Sequence, residues 1–101
     1  MKEMVKEYLV REFGDESLAQ EVYAEYRSST EPKIVESAQA LAARDFVQLD
    51  RTAHALKGNA LMIGDTEALD AALALRDAAK AQDASAGEAA LARVRAVYDA
   101  D

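Results

Sequence analysis

Cysteine is absent from the 101 residues, which excludes disulfides, thiol nucleophiles and thiolate metal sites together. One histidine stands among scattered acidic residues, too few ligands in too loose a pattern for a structural zinc. Positive charge is in deficit: 12 Lys and Arg against 19 Asp and Glu give a formal net charge of −7. That balance excludes the concentrated basic footprint a nucleic-acid partner requires. Aromatics are sparse, and Tyr8, Tyr23 and Tyr26 read as core or boundary residues, not as a stacking platform. No apolar run approaches the roughly 20 residues that a bilayer needs. The N-terminal MKEMVKEYLVREF threads charges through its apolar positions, unlike a signal peptide. The expectation is a single cytoplasmic domain over 1–101, long enough to bury one core without staples.

With one proline and four glycines, helix breakers are also rare, whereas alanine is abundant. Apolar residues recur at helical spacing throughout, and period-two alternation is missing. Met4, Val5, Tyr8, Leu9 and Phe13 share one face, with Gly14 as a stop. A capping box at Ser17 predicts the next start, carrying Leu18, Val22, Tyr23 and Tyr26, and SSTEP ends it. Pro32 suits a new first turn, followed by Ile34, Val35, Ala38, Leu41 and Ala42. After the junction Ala43-Arg44-Asp45, with Asp45 as N-cap, a long stripe runs through Phe46, Leu49, Ala53, Leu56, Ala60 and Ile63 to Gly64. Asp65 or Thr66 caps a segment with Ala68, Ala71, Ala72 and Leu75. The last begins at the capping box Ser85 to Glu88 and presents Leu91, Val94, Val97 and Tyr98. The pattern predicts an all-α fold, an up-and-down antiparallel four-helix bundle with additional short N-terminal helices. Acidic pairs such as Asp99 and Asp101 read as solubilising charge.

The single histidine can then be placed. A helix advances about 100° per residue, so the stripe from Phe46 to Ile63 leaves His54 roughly 140° from the buried centre. The imidazole points outward. Lys57 and Gly58 follow one turn later on that face and Asp50 precedes it by one turn, while Val47, Leu61 and Met62 lie nearby. An outward imidazole framed by a cation, a residue without a side chain and a few apolar neighbours suits a docking surface with a reactive atom at its centre. Neutral imidazole is a competent nucleophile near pH 7. A phosphoryl group attached to it would bring about two negative charges, which a lysine at i+3 stabilises.

His54-Ala-Leu56-Lys57-Gly58, with Gly64 ten residues after the histidine, resembles the signature of histidine-containing phosphotransfer (HPt) domains of two-component phosphorelays. The resemblance extends through ALAARDFVQLDRTAHALKG, and the bundle pattern covers nearly the whole chain. It implies that His54 accepts a phosphoryl group from a receiver-domain aspartate and passes it to another receiver. By the same resemblance Lys57 stabilises the phosphate, Gly58 clears space for the partner, and Gly64 has a turn or packing role. Implied partners are response-regulator receiver domains and a hybrid histidine kinase. No cofactor or metal is expected on this chain, since the Mg²⁺ belongs to the receiver.

Two positions depart from the family pattern. Asn59 stands where the family usually has Ser or Ala, on the flank away from His54, so packing consequences are expected. Arg76 stands 22 positions past the histidine, where the family often carries a Gln or Glu that bonds the second ring nitrogen. Arginine is donor-only and cannot accept that bond, which makes Arg76 a candidate phosphate contact, with Lys80 in reserve one turn on.

Plainer readings stand beside these. Lys57 and Arg76 could be solvated surface charges, Gly58 could serve close helix packing, and Val47, Leu61 and Met62 could lie under the N-terminal helices instead of facing a partner. A non-catalytic helical adaptor would use the same surface without carrying phosphate. An enzyme with an internal site is disfavoured, because inward positions are nearly all Ala, Leu, Ile, Val or Phe. Histidine-kinase dimerisation domains place an acid directly after their histidine; Ala55 occupies that position, so autokinase activity is not expected. The initial Met1 suggests a free-standing shuttle, and the need for an open motif face suggests a monomer.

Overall fold

A computed structural model describes residues 1–100; Asp101, counted above among the solubilising charges, lies outside the described residues. Five helices follow one another: α1 (Glu3–Phe13), α2 (Glu16–Ala42), α3 (Phe46–Ile63), α4 (Thr66–Ala81) and α5 (Ala84–Asp99). Helices α2 to α5 form the antiparallel bundle, α3 packing between α2 and α4 while α5 closes the ring between α4 and α2. Helix α1 lies across α2 and α3. The molecule measures 42 × 19 × 18 Å. Its long dimension is that of α2, whose 27 residues at about 1.5 Å each span about 40 Å.

The continuity of α2 corrects the predicted break at SSTEP. Pro32 sits inside the helix, where its missing N–H forfeits the bond to the Ser28 carbonyl. Tertiary packing overrides that loss. Tyr26, Thr30, Ile34, Ser37 and Leu41 form one buried stripe running straight past the proline, while Pro32 and Ser28 face solvent, where water can satisfy the freed carbonyl. The segment that looked like a linker is a seam: Asn59 Nδ2 of α3 donates to Ser29 Oγ at 3.2 Å and Thr30 Oγ1 at 3.1 Å. One helix therefore replaces two, and only α1 remains as a short N-terminal element.

Two predicted starts also move, each for the same reason. Asp15, not Ser17, caps α2 by accepting from Leu18 N at 2.7 Å, and Asp83, not Ser85, caps α5 by accepting from Ala86 N at 3.0 Å. In both places an aspartate two residues upstream captures the orphan amide first. Asp45 caps α3 as expected, and of the two candidates for α4 it is Asp65 whose carboxylate accepts from Ala68 N. Asp65 is fully buried, and its second oxygen takes a hydrogen bond from Lys2 Nζ at 2.9 Å, which ties the start of α1 to the α3–α4 turn.

Leu49, Leu56 and Ile63 of α3, Leu75 of α4, Val94 of α5 and Ile34 of α2 form the core with Val5 and Leu9 of α1. Alanines 71, 72, 78 and 79 let α4 approach its neighbours closely. The interior is more polar than the apolar pattern implied. Ser37 Oγ donates to Thr52 Oγ1 at 2.7 Å, and Thr52 donates on to the Leu49 carbonyl at 3.1 Å, so this buried pair is satisfied locally and does not form a cavity with converging groups.

Candidate functional site

Helix α3 buries Leu49, Thr52, Ala53, Leu56, Ala60 and Ile63, and everything else on it follows from that choice of inner face. His54 is exposed and its ring makes no hydrogen bond among the described residues. Lys57 is half-buried along its stem and forms no ion pair among the described residues, leaving its ammonium group available one turn beyond the imidazole. At Gly58 a Cβ would meet nothing within 4 Å, so close packing inside the bundle does not explain the glycine. Glycine within a helix costs roughly 1 kcal/mol relative to alanine, and no packing contact inside the bundle offsets that cost here.

The flanking apolar residues are also open. Val47 is 67% exposed, Leu61 51% and Met62 36%, so none of the three lies under α1 or the start of α2. Leu61 borders a small groove with Gly64, Thr66 and Leu69, where α4 begins. Val47 borders a cleft at the other end of the face with Phe46, Asp50, Arg51, Lys80 and Gln82. Between these two, α4 presents Leu73, an exposed leucine that pattern reading passed over because it falls off the α4 apolar stripe. Its signal was its spacing: Leu69, Leu73, Arg76 and Lys80 fall three or four apart and run beside the outward face of α3.

Arg76 lies in this strip, and its Nε donates to Asp50 Oδ1 at 3.1 Å. Asp50, placed on the outer face by the wheel, therefore directs its carboxylate sideways to α4. The pairing sets the register of the α3–α4 hairpin: Arg76 meets α3 one turn before His54, and Lys80 lies beside Val47, farther from the histidine. Asn59 points toward α2, as its position on the flank implied.

Gly64 ends α3 in the left-handed conformation at φ +65°, and Tyr8 of α1 packs directly on it. Its turn and packing roles are thus both visible, and they place α1 at the end of the motif helix. Among the described residues no group of three His, Cys, Asp or Glu side chains could hold a metal ion, and no helix is long and apolar enough to cross a membrane.

A family model described as Hpt domain matches residues 21–100, which takes in α2 from its second turn through α5 and leaves α1 outside. No curated protein and no solved structure matches the chain.

Proposed function

Because the chain belongs to the Hpt domain family, whose members relay phosphoryl groups through a histidine, we propose that His54 is the phosphoacceptor and that receiver domains dock around it. The observation that carries this reading is the outer face of α3, where an exposed, unbonded imidazole is followed by an unpaired ammonium and a glycine with open space in front of it. A ring nitrogen attacks the phosphorus of an aspartyl phosphate held by the receiver, the N–P bond forms, and the aspartate carboxylate leaves with the electrons of the broken O–P bond. Lys57 stabilises the charge on the transferring group, and Gly58 leaves room for the wall of the receiver's pocket. The divalent cation and the carboxylates that hold it come with the receiver. The same step in reverse passes the group to a second receiver.

Val47, Leu61 and Met62 supply the apolar contact area at the two ends of the histidine face, and Leu73 extends it onto α4. The upstream partner is the receiver of a hybrid histidine kinase and the downstream one a response regulator. The chain works as a monomer in the cytoplasm, because a second copy on this face would occlude the histidine.

Incubation with a phosphorylated receiver and Mg²⁺ should place acid-labile phosphate on the wild type and none on His54→Gln. Binding without transfer would establish a non-catalytic adaptor and overturn the phosphotransfer reading.

A further inference from the structure

We propose that the Asp50–Arg76 ion pair is a latch that phosphorylation exchanges: when His54 carries phosphate, Arg76 leaves Asp50 for the phosphoryl oxygens. The inference rests on His54 being the phosphoacceptor and adds to that reading a change on the docking face between the two states.

The contact is poorly matched for a guanidinium. A single bond joins Nε to Oδ1 at 3.1 Å, and neither terminal amino group of Arg76 has a partner among the described residues. Guanidinium binds oxyanions best through two parallel N–H bonds, and here most of its donor capacity is idle. The pair is also wet, with side chains 26% and 35% exposed, so it contributes little to folding and yields readily to a better acceptor.

Phosphohistidine is such an acceptor. It carries up to two negative charges and three oxygens against the single charge of a carboxylate. Asp50 lies four residues before His54, so the new acceptor appears about 6 Å along the helix axis from the old one. That displacement is within the swing of an arginine side chain anchored on α4. Lys57 lies one turn beyond the histidine and Arg76 contacts α3 one turn before it, so the phosphoryl group is bracketed by two cations. In the resting protein Arg76 neutralises Asp50 and keeps a bare carboxylate out of the path of the incoming anion. After transfer the freed carboxylate faces the partner, and the phosphorylated and unphosphorylated forms differ in charge one turn from the reacting atom.

A double-mutant cycle on the transfer equilibrium tests the exchange. The full chain, a phosphorylated receiver domain and Mg²⁺ are mixed, and the ratio of phosphohistidine to phosphoaspartate is measured for the wild type, D50N, R76A and the double variant. Circular dichroism of each variant checks that the bundle is intact. Arg76→Ala lowers the phosphohistidine share about fivefold. Asp50→Asn raises it, and by about three times more with Arg76 present than with Ala there, because only then is a competitor for the guanidinium removed. The Arg76 Nε–H resonance also shifts when the wild type is phosphorylated. Equal Asp50→Asn factors in the two backgrounds, or an unmoved resonance, overturn the latch while leaving the phosphoacceptor in place. A wild type that takes no phosphate removes both at once.

Discussion

The ring of Tyr8 occupies the space a side chain on Gly64 would need: a Cβ there would stand 2.5 Å from Tyr8 Cγ. Helix α1, which the Hpt model does not cover, is thus keyed into the turn that ends the histidine-bearing helix. Gly64→Ala combines this overlap with a left-handed φ of +65° that costs a non-glycine residue about 1–2 kcal/mol. We expect a loss of about 2 kcal/mol or more, read as a melting temperature roughly 10 °C lower. Tyr8→Ala in the same chain should restore only the steric share. A melting temperature within 2 °C or so of the wild type would contradict the close packing seen here.

Gly58 gives the opposite result on stability. Nothing lies within 4 Å of a Cβ at this position, so Gly58→Ala should stabilise the helix by about 0.5–1 kcal/mol. The rate of phosphoryl transfer from a receiver should nevertheless fall, and fall further with Leu at the same position. A variant that is both more stable and equally fast would deny Gly58 its clearance role.

Lys57 makes no ion pair within the bundle among the described residues, so its removal should leave the fold alone. Lys57→Gln is expected to keep the melting temperature within a degree or two and to slow phosphohistidine formation about tenfold, by the loss of one charge-assisted contact worth roughly 1.4 kcal/mol. Stopped reactions resolved by acid lability give the rate. An unchanged rate would leave Lys57 as a surface charge.

Pro32 is a test of why α2 is continuous. The residue is exposed and lies inside a helix, so Pro32→Ala restores an amide donor to the Ser28 carbonyl and removes the ring clash. Urea unfolding should show a gain of about 1–3 kcal/mol. A loss would mean that the proline shapes the helix in a way the buried stripe depends on.

Ser37 and Thr52 illustrate the cost of half a hydrogen bond. Thr52→Val strands the fully buried Ser37 hydroxyl and should cost about 1–3 kcal/mol. Adding Ser37→Ala removes the stranded donor, and the double variant should recover part of the loss in the same unfolding assay. Simple additivity of the two substitutions would show that the hydroxyls are not coupled.

The structure departs from the sequence pattern where the outcome depends on the path of the backbone or on a neighbouring helix. The starts of α2 and α5 were displaced by two residues because Ser17 and Ser85 satisfy a capping box on paper, while which carboxylate or hydroxyl reaches the first free amide depends on the local backbone path. SSTEP has the local propensities of a break, and α3 and α5 packing on both sides of Pro32 overrules them. Leu73 is illegible in the sequence, because an exposed leucine on one helix acquires meaning only beside the neighbouring helix.

What the sequence by itself determined is what a 3.6-residue period and local backbone chemistry settle: the buried stripe of Leu49, Ala53, Leu56, Ala60 and Ile63 on α3, the caps at Asp45 and Gly64, and the outward placement of His54. Each of these depends on residues within a turn or two of one another. Only the tertiary structure decided that α2 is continuous, that α1 locks onto Gly64 and Asp65, that Asn59 joins α2, and that Arg76 meets Asp50 one turn short of the histidine. Those outcomes depend on how far one helix slides along another. That register is set by the summed packing of whole faces, which no short window of sequence contains.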